Sequence, residues 1–439
     1  MSHRRCTAGL ARGHSRSARI DGNSRRGGGG LHREHWTRCT GFPLGELTLR
    51  REPLVTRAFV LLVIAHFLQA LGYTSMLLLP LYVGHLGASR AEIGTIMATA
   101  AIGGLLLRPV AGWALDAIGR KPTLLVGTII LVVGTALVAA VDQIGALLYV
   151  GRFLIGVGSG TLFTAYFTLA ADIIPESRRT EGIALFGISG LAPLAFNGVI
   201  ASLEIPVSDL PSVFSLVALL ISASLLLLLR IPEPSRTARG ESTAPVSHRM
   251  LLQKRLQPVW LATVVFSSLV ACFMAFATVA AERRGMSQPA TIWLTYAFGA
   301  VTVRLLGARL PDRVGTHNMV APALATYVSA CLLAAWAPSR EWFLLAGLMG
   351  GIGHGYSFPV LTSQVVGRSP AVIRGAALAV FTALWDLTSL TLTPLLGAFA
   401  DIFGDPPMFA LVSCIATIGL ALWAWYEHRV CLESLTPVD

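Results

Sequence analysis

Long apolar runs separated by short polar breaks dominate the chain. Phe59–Val83, Leu124–Val141 and Val213–Leu229 contain no acid, lysine or arginine, and each is near the roughly 20 apolar residues that cross a bilayer as a helix. Windows of this kind predict helices at 57–83, 91–115, 123–141, 146–169, 180–202, 211–230, 258–281, 289–310, 318–337, 341–365, 372–398 and 408–427. Turn residues punctuate them at Gly84-His85-Leu86-Gly87, Glu204-Ile205-Pro206 and Asp401 to Pro407. Pro193, Pro359 and Pro394 fall inside windows, which membrane helices tolerate.

Composition agrees with this pattern. Apolar residues make up 54% and charged residues 13% of 439 positions, against about 45–50% and about 25% in soluble domains. Lysine and arginine alternate between loops: one set holds Arg120, Lys121, Arg178, Arg179, the run from Arg230 to Arg255, Arg309, Arg313, Arg368 and Arg374, the other only Arg90, Arg283, Arg284 and Arg340. The rich set is expected in the cytoplasm, and an even helix number puts both termini there. The predicted location is a plasma or inner membrane.

The net charge of +11 does not mark a nucleic-acid partner, because residues 1–51 hold eleven Arg and three acids and so carry +8 of it. That tail has no apolar h-region and its composition predicts disorder. Three readings stand open: a cytosolic tail drawn to anionic lipid, an over-extended reading frame, or a transit peptide. Six dispersed cysteines, Cys6, Cys39, Cys272, Cys331, Cys414 and Cys431, form no CxxC pair. They predict neither a disulfide framework nor a metal site.

The chain also repeats itself. GLLLRPVAGWALDAIGRKPT at 104–123 recurs in outline as AVTVRLLGARLPDRVGTHNM at 300–319, with Arg108/Arg304, Asp116/Asp312 and Gly119/Gly315 each 196 positions apart; GVGSG at 156–160 and GIGHG at 351–355 are 195 apart. Two six-helix halves are expected at 53–231 and 258–428. A cytoplasmic linker (232–257), the basic tail (1–52) and a short C-terminal tail (429–439) complete the domain reading. Repeats around a midplane site are the physical basis of secondary transport.

Gly112 to Lys121, GWALDAIGRK, resembles the loop motif between helices 2 and 3 of the major facilitator superfamily. The resemblance implies an all-α membrane fold of twelve helices in two pseudo-symmetric halves, with a conformational latch formed by Gly112, Asp116, Gly119, Arg120 and Lys121. The second copy keeps Asp312, Arg313 and Gly315 but has Thr316 and His317 where the basic pair stood, which implies a weaker latch. Arg152-Phe-Leu-Ile-Gly156-Val-Gly158-Ser-Gly160 resembles the RxxxGxGxG motif of the family's fourth helix. Arg152, Gly156 and Gly160 fall on one face, and the resemblance links Arg152 to proton transfer. Since Arg stays charged, its expected role is to tune a neighbouring acid or hold an anionic substrate, the alternative being an arginine that snorkels to the outer interface. Gly187-Ile-Ser-Gly190-Leu-Ala-Pro193 is a loose relative of the exporters' fifth-helix motif, lacking the closing glycine pair. It favours efflux.

Helix phase sorts the remaining polar residues. His66, Gln69 and Tyr73 share a face of the first window; Thr382, Asp386, Ser389 and Thr393 share one of the eleventh; His354, Ser357 and Gln364 lie on the tenth and Asn197 on the fifth. The third, sixth and twelfth windows carry no such stripe, and the resemblance implies that they are peripheral. Asp386 is the one carboxylate near the middle of a window, and an intramembrane ionisable group is by default functional. It is the first proton-carrier candidate, its alternative being a structural partner for Arg304 or a helix N-terminus. His66 and His354 are further candidates, against a histidine merely hydrogen-bonded between helices. Arg108 and Arg304 are expected to anchor structure. Gln69, Tyr73, Asn197, Tyr356, Ser357 and Trp385 are candidates for the substrate cavity, although aromatics in helices more often pack against neighbours.

The expected function is alternating-access transport of a small solute, with proton-coupled efflux of a drug-like compound or metabolite preferred. Uptake of a metabolite and a non-transporting receptor or scaffold of the same fold are the alternatives. No GxxxxGK[ST] signature for an ATP-driven pump and no HExxH enzyme constellation occurs. No cofactor is expected beyond a proton gradient as energy source. The expected partners are a small solute, protons and the bilayer, without nucleic acid, and the chain is expected to act as a monomer.

Overall fold

A computed structural model describes residues 53–175, 179–232, 248–307, 310–370 and 373–435. The basic tail 1–52 with Cys6 and Cys39, Arg178, most of the linker, Arg309 and the end of the chain lie outside the described residues, as do the side chains of Asp116, Asp312 and Cys431. The described residues form helices and no strand.

Among the described residues every window falls mainly on helix. The first is split into α1 (Arg57–Thr74) and α2 (Leu79–His85), followed by α3 (Arg90–Ala117), α4 (Arg120–Ala139), α5 (Ala146–Ile173), α6 (Arg179–Leu191), α7 (Leu194–Ser202) and α8 (Leu210–Leu229). After α9 (His248–Leu251) come α10 (Gln257–Arg283), α11 (Ile292–Leu305), α12 (Leu310–Val314), α13 (Thr316–Trp336), α14 (Arg340–Arg368), α15 (Arg374–Phe403) and α16 (Asp405–Leu435). Ten spans among the described residues are long and apolar enough to cross a membrane. α11, with 14 residues, and α14 stand outside that set.

Local chemistry sets the ends and breaks. Ser89 and Glu92 form a reciprocal capping box at the start of α3. Inside the apolar helices, hydroxyls of Thr128, Thr135, Thr263, Ser267 and Ser413 donate to the carbonyl four residues back, so these five are not left bare where water is absent. The fifth window is not one helix, contrary to the sequence expectation. It breaks at Ala192–Pro193, where proline supplies no N–H and its ring crowds the preceding turn. Pro359 and Pro394 are carried within continuous helices, as expected. Asn197 Nδ2 donates to Thr74 O at 2.9 Å and Leu194 O at 3.3 Å, tying this break to the end of α1.

The repeat is visible in the packing. Gly156 on α5 abuts Ala100 O on α3, Gly158 abuts Leu131 on α4, and Gly160 faces Gly104. The second copy repeats each contact: Gly351 on α14 abuts Tyr296 O on α11, Gly353 abuts Tyr327 on α13, and Gly355 faces Ala300. Small residues let these backbones approach. Gly119 and Gly315 open α4 and α13 at φ 124° and 93°, a region that costs other residues about 1–3 kcal/mol. Gly119→Ala is accordingly expected to lower unfolding stability by about 1–3 kcal/mol, measured by denaturant titration in detergent.

α4, α8 and α16 each expose a row of large apolar side chains, among them Val126, Ile129 and Val133, Leu219 and Leu226, and Ile415 and Ile418. Such faces suit lipid. Cys272 and Cys331 are buried free thiols and Cys414 is exposed.

Candidate functional site

α3 and α15 converge at one end and part at the other. Gly94 lies against the backbone of Thr393 and Pro394, and Gly397 against that of Arg90 and Ala91, whereas a Cβ on Gly112 or Gly375 at the opposite end meets nothing within 4 Å among the described residues. Two polar clamps lock the closed end. Asp401 accepts from the backbone N–H of Arg90 and Ala91, both at 2.8 Å, capping the α3 N-terminus, where a helix dipole favours a carboxylate. The Arg90 guanidinium also forks onto Asp405 at 2.7 and 3.1 Å. Across the molecule, Gln288 donates to Glu204 at 2.9 Å. Those two are the non-glycine residues with positive φ among the described residues, a region that few non-glycine residues adopt. The sequence reading missed this end. Its available signal was Arg90, isolated in a loop set poor in basic residues, with Asp401 just beyond the eleventh window.

Between the ends a cleft of about 200 Å³ is lined by Met97, Ala100, Gly104, Ser159, Trp385, Asp386 and Ser389, among others. Asp386 is held there by Arg108, whose Nη2 donates to its carboxylate across the α3–α15 interface. The partner is Arg108, not Arg304. The pair is 20% and 19% exposed and Asp386 lines the cleft, while Arg108 Nε is buried without a partner among the described residues.

Arg152 fits neither expectation. It is buried, and its two hydrogen bonds go to Ile96 O at 3.2 Å and Met97 O at 3.0 Å on α3, so it braces α5 against α3 instead of touching an acid or snorkelling outward. His66 and Ser189 share a 2.7 Å hydrogen bond, with the imidazole between Phe186 and Tyr166. His354 bonds Tyr296 Oη at 2.6 Å, which in turn meets Tyr327 Oη at 3.0 Å. Both histidines are thus hydrogen-bonded between helices. Trp385 packs on Phe266, His354 and Phe358 as well as lining the cleft. Buried Gln69 Nε2 and Ser357 Oγ have no partner among the described residues, Tyr356 Oη sits at Gly307, and Tyr73 Oη stands 3.4 Å from where Gly190 would carry a Cβ. Asn197 is spent on the helix break described above.

At the open end, Arg120 Nε donates to Asp172 at 3.0 Å, and Lys121 Nζ donates to Leu229 O and Ile231 O at 2.8 and 3.0 Å. In the second copy the charge sits on the opposite helix: Arg368 forks onto Glu427 at 2.7 and 2.9 Å, Gln364 donates to Thr316, and His317 lies 3.4 Å from Glu427. Arg313 is exposed.

The sequence model of the Major Facilitator Superfamily matches residues 62–328 and 259–430. The chain belongs to this superfamily. A Burkholderia mallei MFS-type transporter is 26% identical over 349 residues, covering 77% of this chain and 83% of the relative. A Salmonella typhimurium MFS-type transporter is 26% identical over 361 residues, covering 79% and 90%. Among solved structures, a POT family transporter in complex with a thioalcohol-conjugated peptide superposes with a TM-score of 0.73 at 14% identity, covering 85% of this chain and 96% of that one. At that identity the likeness speaks for the fold. As a member of the superfamily, the chain is a multi-pass membrane protein.

Proposed function

We propose that this chain is a secondary active transporter that exports a small drug-like compound or metabolite in exchange for protons, by rocking its two repeats about the central cleft. The observation that carries this reading is the Asp386–Arg108 pair, which joins α3 of the first repeat to α15 of the second inside the cleft. A carboxylate that accepts a proton loses its attraction for Arg108, so proton binding and the grip between repeats are linked by one charge. The helix-5 glycine pattern supports export.

In this reading the membrane is the plasma or inner membrane, twelve segments cross it, and the basic loops and both termini face the cytoplasm. The closed clamps are then the outer gate, and the described conformation opens inward. Arg90→Ala combined with Asp401→Ala removes charge-assisted bonds contributing about 1.5–3 kcal/mol each. It is expected to shift the population towards the outward-open state, read as greater thiol labelling of a cysteine that replaces the buried Thr393 beside Gly94. Unchanged labelling contradicts the gate assignment.

Direction is tested with energised everted vesicles. Export predicts that a solute of the panel accumulates inside them and leaves when a protonophore is added. Accumulation only in right-side-out vesicles contradicts export and favours uptake.

A further inference from the structure

The two repeat-related arginines have unequal surroundings. Arg108 is matched by Asp386. A shift of 195 or 196 positions carries Asp386 onto Leu191 or Gly190, neither of which bears charge, and Arg304 makes no ion pair among the described residues. Its Nε donates to Gly355 O at 3.0 Å. That bond fixes the plane of the guanidinium and leaves its terminal nitrogens without hydrogen bonds among the described residues. Nη1 lies 3.2 Å from the position a Cβ would take on Gly187, so it looks onto bare helix backbone of α6. One turn further, the Gly190 face is bordered by His66 Cε1 at 3.2 Å and Tyr73 Oη at 3.4 Å, and Tyr73 makes no side-chain hydrogen bond among the described residues. Arg304, Gly187, Gly190 and Tyr73 are all partly accessible.

An arginine inside a membrane helix with no counter-charge among the described residues is expensive, and an anionic ligand offsets that cost. We propose that Arg304 is the recognition group for a carboxylate on the solute, which seats against Gly187 and Gly190 with Tyr73 Oη as a further donor. The two Nη groups match a carboxylate bidentately, and Gly187 and Gly190 carry no side chain that would cover Arg304 or Tyr73. The substrate class is therefore an organic anion. Calling that anion cargo rests on the transport reading; binding at Arg304 does not.

The test uses purified full-length protein in nanodiscs, with phenylglyoxal modification of each arginine followed by peptide mass spectrometry. Probes are aliphatic and aromatic monocarboxylates, 2-oxo acids and amino acids, each beside its amide, with lipophilic cations as a separate arm. Arg304 is expected to react faster than Arg108. At least one carboxylate is expected to slow its modification roughly tenfold or more, as a charge-assisted fork implies, while the matching amide has no effect. Gly187→Asp, which supplies the missing carboxylate from α6, is expected to protect Arg304 without any ligand. In case that variant does not fold, the same carboxylate is expected to raise the melting temperature of the wild type and not of Arg304→Gln. Equal protection by acid and amide, protection by cations only, an unreactive Arg304, or no protection by any carboxylate overturns the assignment. Protection without solute flux in liposomes leaves the anion site standing and removes only transport; flux of cations or neutral solutes that Arg304→Gln does not change removes the anion site and leaves transport.

Discussion

Asp386→Asn is expected to uncouple the protein while leaving solute exchange across the membrane intact. The amide keeps the shape of the carboxylate but neither binds nor releases a proton, so a cycle that must reset through protonation stalls, whereas solute-for-solute exchange needs no reset. The same change strips Arg108 of its counter-charge. Removing one member of a fully buried pair costs roughly 3–5 kcal/mol; with 20% and 19% of the two side chains exposed, about 1–3 kcal/mol is expected here from the same principle. Arg108→Gln added to Asp386→Asn recovers part of that stability, since two neutral groups replace a stranded cation. Thermal unfolding of the single and double variants in detergent measures the recovery. A double variant no more stable than either single one contradicts the pairing.

Gly156→Ala is expected to be among the most damaging single-methyl changes in the chain. The added Cβ collides with Ala100 O on α3, and the obstacle is backbone on a neighbouring helix, which cannot rotate away. Overpacking of a tight core typically costs about 1–3 kcal/mol, and this contact lies beside the cleft, so transport falls with stability. Gly351→Ala, against Tyr296 O, is expected to behave alike. Gly112→Ala and Gly375→Ala, with nothing within 4 Å among the described residues, serve as controls whose melting temperatures stay at the wild-type value. A parallel loss in all four variants contradicts the notch geometry.

The contrast between these glycines shows where sequence reasoning reached and where it stopped. Spacing placed Arg152, Gly156 and Gly160 on one face, and all three meet α3. Their counterparts 195 positions on, Gly351 and Gly355, meet α11. Periodicity is local, and these contacts follow from it. Which arginine holds Asp386 is not local. Arg108 and Arg304 are equivalent in the pattern, and only the approach of α3 to α15, 278 positions apart at the pair, selects Arg108. Arg152 carried a charge that suggested an acid, yet its bonds go to main-chain carbonyls, a partner no side-chain pattern reveals. The break at Ala192–Pro193 was hidden because Pro359 and Pro394 sit in equally apolar windows and leave their helices unbroken. Asn197, which bonds Thr74 O and Leu194 O at the break, read as a cavity residue for the same reason.

Proton movement in liposomes tests coupling through Asp386 most directly. Wild type and Asp386→Asn are reconstituted with a pH-sensitive dye inside and challenged with organic carboxylates, lipophilic cations and metabolites. The expected result is a solute-triggered pH change in the wild type that falls to the level of empty liposomes in Asp386→Asn. Solute flux with no pH change, or a pH change that survives the substitution, contradicts proton coupling through this carboxylate and leaves the Asp386–Arg108 pair a purely structural tie between α3 and α15.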